Sequence, residues 1–320
     1  MRAREVLFRL TGFRGMNTAH LEEFLFSGTS VNPRSRQVTT ARVLGRLRRR
    51  GLVASTQRLV GGPGGGSARL VYHLTEAGYR VLGTLDPAFG RRRLPPRSSL
   101  FIEHTLMTAD VAVAFHRAAR THRGHAVSEW EPDWQVADRV GSSVVVPDAH
   151  LVYATEGSEI DAFIEVDLGS ERPSRFARKI CGYVEVYRAG SWRTELPSWP
   201  LVLTITPTVS RATALRRATE DVLRLQDQLI AASPLEFDFG ALPDVQGPNG
   251  PLGEIWQVAG RAGRYSLIPT PPNAMRPTAI VANERPEPSR APRLPSPAAR
   301  PAVKEGYGHS NLSNGTRDGT

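Results

Sequence analysis

A single cysteine, Cys181, is all the chain contains, so neither an intramolecular disulfide nor a cysteine-based zinc site can form. Lysine is nearly as scarce: only Lys179 and Lys304 stand among the 41 Lys and Arg residues. That arginine bias points to a high-GC, bacterial coding sequence. No run approaches the roughly 18 apolar residues of a membrane span. The opening MRAREVLFRL breaks its apolar residues with Arg4, Glu5 and Arg9, which leaves no signal-peptide core. A soluble, cytoplasmic protein with no membrane partner is expected. Aromatics are few, at 7%, and hydrophobic residues reach 40%, so a core can form but not all of the chain joins it.

What is present is positive charge. The 320 residues carry 41 basic against 31 acidic side chains, a net +10, and such an excess favours a polyanionic partner, nucleic acid before all. The length suits two modest domains and a tail. From Pro269 to Pro301 there are ten prolines, so residues 269–320 read as a disordered tail. A second break, TLDPAFGRRRLPPRSS at 84–99, carries Pro87, Gly90, Pro95, Pro96 and the cluster Arg91 to Arg93. It reads as a linker between a first domain, 1–83, and a second, 100–268.

The first domain predicts three helices and a hairpin. Residues 2–11 fit a helix, and a second starts near Asn17 or Thr18, both good caps. A third fits Arg36 to Arg50, with Ser35 as its cap and Ala41, Leu44 and Leu47 facing inward. Arg42, Arg46 and Arg49 then share one exposed stripe, flanked by Arg36. LVASTQRLV and ARLVYHLT read as strands joined by GGPGGGS, and LTEAGYRVL as a closing helix. This is the order of a winged helix-turn-helix. In such a module the arginine helix enters a major groove of double-stranded DNA, and Arg58 and Arg69 on the wing strands meet the backbone. The glycine run lacks the Gly-Lys-Ser/Thr ending of a phosphate loop and joins two strands, so it reads as a flexible wing tip.

The second domain predicts a mixed sheet covered by helices. A helix over Leu100 to Thr121 turns Leu106, Ala109, Val113 and Ala114 inward. Strands follow near Ala126–Trp134, Val144–Tyr153 and Ile160–Leu168. A helix from Pro173 to Tyr187, a strand over 201–206 and a helix from Arg211 to Ala232 complete it. In the third strand Asp161, Phe163, Glu165 and Asp167 share one side by alternation. Asp148, after Pro147, can approach them from the neighbouring strand. Carboxylates this close repel unless a cation intervenes, and Mg²⁺ or Mn²⁺ is the natural neutraliser. Lys179 comes one helix later, where it can stabilise developing charge or, with Arg172 and Arg175, contact phosphate. The histidines make no zincin spacing. Cys181 and the tryptophans read as core residues.

Pro147-Asp148 followed by Glu165-Val166-Asp167 in αβββαβ order resembles the PD-(D/E)xK nuclease-like, restriction-endonuclease-like fold. LTEAGYRVL, EHTLMTADVAVAF, VVVPDAHLVY, FIEVDLGSE and KICGYVEVY resemble the replication-relaxation family of bacterial plasmids and mobile elements. The fold resemblance implies metal binding by Asp148 and Glu165, with Asp167 supporting the ion and Lys179 acting as the catalytic lysine displaced to a helix. Asp167 departs from the fold's pattern, since a lysine belongs at that position. The family resemblance implies work on plasmid replication or DNA relaxation, alongside other replication proteins. Two readings follow: a Mg²⁺- or Mn²⁺-dependent DNA nuclease or nickase, and a non-catalytic replication accessory or transcriptional regulator with an inactive nuclease-like domain.

Overall fold

The computed structural model describes residues 2–26, 31–57, 70–89, 98–140, 145–226 and 235–268. The glycine run, Arg58, Arg69, Arg91 to Arg93 and the proline-rich tail lie outside the described residues.

The chain opens with α1 (Arg2–Phe13), α2 (Thr18–Leu25) and α3 (Pro33–Arg49). Asn17 caps α2: its side chain accepts from the His20 N–H at 2.9 Å, and His20 reaches back to the Asn17 backbone. α3 begins three residues before the predicted start. Its cap is Asn32, which accepts from the Ser35 N–H at 2.8 Å, and Pro33 takes the first turn. Ser35 is therefore inside the helix. Ala41 is exposed, and the inward face is Thr40, Val43, Leu44 and Leu47.

Gly51, at φ +66°, turns the chain out of α3 into β1 (Val53–Gln57), which pairs antiparallel with β2 (Leu70–Leu74). Met16 adds a short bridge to Tyr72 on the free side of β2. α4 (Glu76–Leu85) closes the unit, capped by Thr75. Gly78 packs so near this turn that a Cβ there would meet the Leu52 carbonyl at 2.3 Å.

α5 (Ser99–Thr121) leads into a six-stranded mixed sheet, ordered β3 (Ala126–Pro132), β4 (Ala149–Ala154), β5 (Glu159–Val166), β6 (Leu201–Thr206), β7 (Phe237–Ala241) and β8 (Gln257–Val258). β5 and β6, and β6 and β7, are parallel, and the other neighbours are antiparallel. Trp134 does not extend β3: it lies in α6 (Asp133–Val140), which the sequence reading missed. β4 starts only at Ala149, because Pro147 has no N–H to give a ladder. The final strands β7 and β8 and the short α9 (Leu242–Val245) were also not anticipated.

Helices cover both faces of the sheet. Ile160, Ala162, Ile164 and Val166 join the cluster that holds α5, and Phe163 joins the cluster under α7 (Pro173–Ala189) and α8 (Val209–Leu225). β6 is buried along its whole length, as a strand covered on both sides must be. Trp130, Trp192, Trp199 and Trp256 are core residues, whereas Cys181 is only half-buried at the edge of the α7 cluster.

The two halves share one hydrophobic cluster. Phe13 stacks on Trp130 with centroids 5.9 Å apart, worth about 1 kcal/mol beyond its buried area. Phe89, within the segment read as a linker, is buried against Phe8 and Trp134. Polar pairs reinforce the contact: Arg14 to Asp133 at 2.5 Å, His20 to Asp110 at 2.9 Å, and Glu23 to Arg117 and Arg120. Among the described residues no helix is long and apolar enough to cross a membrane.

His116 of α5 sits at this junction, edge-on to Phe24 at 5.0 Å, and its Nε2 is buried without a hydrogen-bond partner. Burial, reinforced by the charges of Arg9 and Arg120, pushes the imidazole down to about 3. The folded protein thus holds a neutral ring, while the unfolded chain binds a proton below about pH 6.5. Stability is full above that pH and falls as pH drops toward 3. Urea denaturation of the wild type between pH 6.5 and 5 should show a loss that His116→Leu flattens, by up to about 1.4 kcal/mol per pH unit.

Candidate functional site

The register of β4 on β5 places the first two carboxylates. Its last ladder pair is Ala149 with Ile164, and Asp148 stands just before that pair, outside the ladder. Two bonds of its own tie it to β5: the Asp148 N–H donates to the Ile164 carbonyl at 3.0 Å, so Asp148 and Ala149 share Ile164 as in a β-bulge, and the Val166 N–H donates to Asp148 Oδ2 at 2.8 Å. Asp148 therefore grips the residues on both sides of Glu165. Its carboxylate lies close enough to that of Glu165 for the two charges to repel.

Glu165 is only 2% exposed. It survives there because α7 delivers two donors one turn apart. Lys179 Nζ donates to Oε2, and Tyr183 Oη donates to Oε1. Burial, joined by repulsion from Asp148, raises the Glu165 carboxyl to about 7 against the pull of Lys179 and Tyr183. Burial would favour neutral Lys179, but Glu165 and Asp148 outweigh it and raise its pKa, so the lysine stays charged. Asp148 moves the other way: burial opposes its charge, but the His104 hydrogen bond and Lys179 prevail and lower its pKa.

Asp167 points to the same side but is already engaged. Arg211, from the first turn of α8, donates Nε to Oδ2 at 2.7 Å and an Nη to Oδ1 at 2.8 Å, and the Gly169 N–H also donates to Oδ2. Arg211 further binds the Glu171 carbonyl at 2.7 Å, so it ties the β5 end and the following loop to α8.

A cleft of about 320 Å³ opens at the carboxyl ends of the parallel strands β5 and β6, next to these groups. Glu165, Asp167 and Lys179 line it. Ser98, Leu100, Phe101 and His104 from the start of α5 close the opposite wall. Thr204, beside Glu165 in the β5–β6 register, keeps a buried hydroxyl with no hydrogen-bond partner. The donor set suits a hard divalent cation: facing carboxylates, a buried hydroxyl to spare, and a cleft with room for the waters that Mg²⁺ and Mn²⁺ retain.

A different trio has its donor atoms within 4.8 Å of one another: Glu129, Glu131 and His150. His150 is buried between Glu131 at 3.1 Å and Asp161 at 2.5 Å. Burial would lower its pKa, yet the two carboxylates raise it to about 9. This place is filled by an imidazolium, which already serves as the local cation.

On α3, Arg42, Arg46 and Arg49 are exposed, and among the described residues none of them forms an ion pair. They span roughly 10 Å of helix. Arg36 is half-buried instead and donates Nε to the Val31 carbonyl at 2.7 Å, where it finishes the helix start.

Sequence reasoning missed three residues here. Tyr183 had a usable signal in its i+4 spacing from Lys179. Arg211 and His104 carried no local signal, since their partners are 44 residues away in each case.

A family model described as replication-relaxation matches residues 7–199, more than half of the chain. No curated protein and no solved structure matches it.

Replacing Arg211 by Ala leaves Asp167 buried without its partner. Denaturant unfolding should show a loss of about 3 kcal/mol. Asp167→Asn, which keeps hydrogen-bond capacity, should lose less.

Proposed function

Because the chain belongs to the replication-relaxation family, with the role in plasmid or mobile-element replication that this family suggests, we propose that it binds double-stranded DNA through its N-terminal module and cuts or nicks it at the Asp148–Glu165 cleft. The observation that carries this reading is the Asp148 carboxylate bound to the Val166 N–H beside Glu165, at the end of the parallel strands β5 and β6, with a charged lysine on Glu165. The three-helix, hairpin and helix order of residues 2–85 supports a winged helix, with Arg42, Arg46 and Arg49 toward the groove. The order of α5 and β3 to β6, with α7, supports a PD-(D/E)xK nuclease-like domain.

Asp148 and Glu165 would hold Mg²⁺ or Mn²⁺, which when bound supplies an activated water and neutralises charge at a phosphate. The protein's own part is positional. Lys179 favours the ionised form of Glu165 against its burial and brings its cation to the cleft, where charge develops on a phosphate oxygen. Tyr183 fixes the far oxygen of Glu165 from below. Asp167 is held by Arg211 and supports the site by fixing the end of β5.

A second reading has its own observation. The position that would carry the fold's lysine is Asp167, and its carboxylate is consumed by Arg211. On that reading the domain is a non-catalytic scaffold and the protein a DNA-binding replication accessory or regulator.

Supercoiled plasmid incubated with protein and Mg²⁺ or Mn²⁺ separates them. Nicked or linear product from wild type, reduced to background by Asp148→Ala and by Glu165→Ala, is the expected result. No cleavage by wild type, with DNA binding intact, establishes the second reading. Arg46→Ala should weaken duplex binding and reduce the slope of log K against log salt by about one. Unchanged binding and slope would remove α3 from the DNA contact.

A further inference from the structure

The two carboxylates of the cleft are each served by a different helix. Glu165 takes its donors from α7, and Asp148 takes one from α5. That donor is His104, whose Nε2 lies 3.2 Å from Asp148 Oδ2. A carboxylate oxygen only accepts, so the imidazole must carry its proton on Nε2 here. The same Oδ2 also accepts the Val166 N–H at 2.8 Å, and the Asp148 N–H is bound to the Ile164 carbonyl. The carboxylate is thus held at its backbone and twice at one oxygen. Among the described residues nothing donates to Oδ1. His104 is 29% exposed and lines the cleft, while the Asp148 side chain keeps 19% of its surface open. Neither the strand register nor the Val166 bond alone fixes rotation of the carboxylate, because both sit on the β5 side. The imidazole closes the arrangement from the opposite wall.

We propose that His104 is a positioning residue: it locks Asp148 through Oδ2 so that Oδ1 is presented to a divalent cation shared with Glu165. This rests on the metal-binding reading above and adds a residue to it. Groups that orient a ligating side chain in this way commonly contribute 10- to 100-fold in metal affinity.

The test is Mn²⁺ titration of the full chain by calorimetry at one fixed pH, with wild type, His104→Ala, His104→Gln and Asp148→Ala. His104→Ala should weaken Mn²⁺ binding by about 10- to 100-fold. His104→Gln keeps an N–H donor at similar reach and should stay within about threefold of wild type. Asp148→Ala should lose the site. Thermal melts without metal check that each variant folds, and the Gln variant carries the test if the Ala variant does not. Wild-type affinity in His104→Ala overturns the positioning role and leaves the metal site standing. Equal weakening in His104→Ala and His104→Gln overturns it too, because the donor then is not what matters. No Mn²⁺ binding by wild type sinks the metal reading itself, and the role of His104 with it.

Discussion

A carboxylate at 2% exposure inside a six-stranded sheet has to be compensated, and the architecture of the second half follows from how Glu165 is compensated. Its two oxygens take one donor each, both from α7. Lys179 and Tyr183 arrive on the same face because α7, which starts at Pro173, runs unbroken through both within the crossover between the parallel strands β5 and β6. Burial and Asp148 still raise the carboxyl to about 7, so compensation is incomplete. That incompletely compensated burial, with repulsion from Asp148 added to it, is what makes this spot different from an ordinary buried ion pair. A charge added from the cleft relieves it, whereas the imidazolium of His150 has already relieved the neighbouring Glu131–Asp161 pair.

Much of this was readable in the sequence, for local reasons. The alternation in Ile160 to Asp167 announces its two faces, because a strand has a period of two and the apolar set is Ile, Ala, Ile, Val. The buried run 201–206 and the amphipathic α5 are equally local. The placement of Asp148 beside Glu165 was legible only as a possibility, since it depends on a register that the Ala149–Ile164 pair sets in three dimensions. The N-terminus of α3 was misjudged by three residues because both Asn32 and Ser35 are cap formers and Pro33 decided between them. α6 was missed because Trp134 looked like the end of a strand.

What stayed dark was long-range. The Arg211–Asp167 clamp joins residues 44 apart, and so does the His104–Asp148 contact. No periodicity encodes such pairs. Asp167 illustrates the consequence. Its place two residues after Glu165 suggested a third ligand, yet a guanidinium from α8 occupies both of its oxygens. A bidentate arginine gives a carboxylate two charge-assisted hydrogen bonds, one on each oxygen. The acidic trio thereby resolves into a facing pair and a fixed strut.

The junction between the halves bears on how the protein would work. The segment 84–99 reads as a linker in the sequence, and its Phe89 is packed between Phe8 and Trp134, while Phe13 lies on Trp130. Arg14 adopts a left-handed backbone at φ 56°, a costly conformation for a residue with a side chain, and its guanidinium reaches Asp133. Strain of that kind persists where surrounding contacts hold it, and here the contacts join one half to the other. On the proposed reading, duplex held by α3 is presented to the cleft in a set orientation rather than by a swinging arm. Weakening the junction would then separate binding from cutting. The arginine helix would still meet DNA with its own salt dependence, while the cleft would lose the fixed approach of the strand.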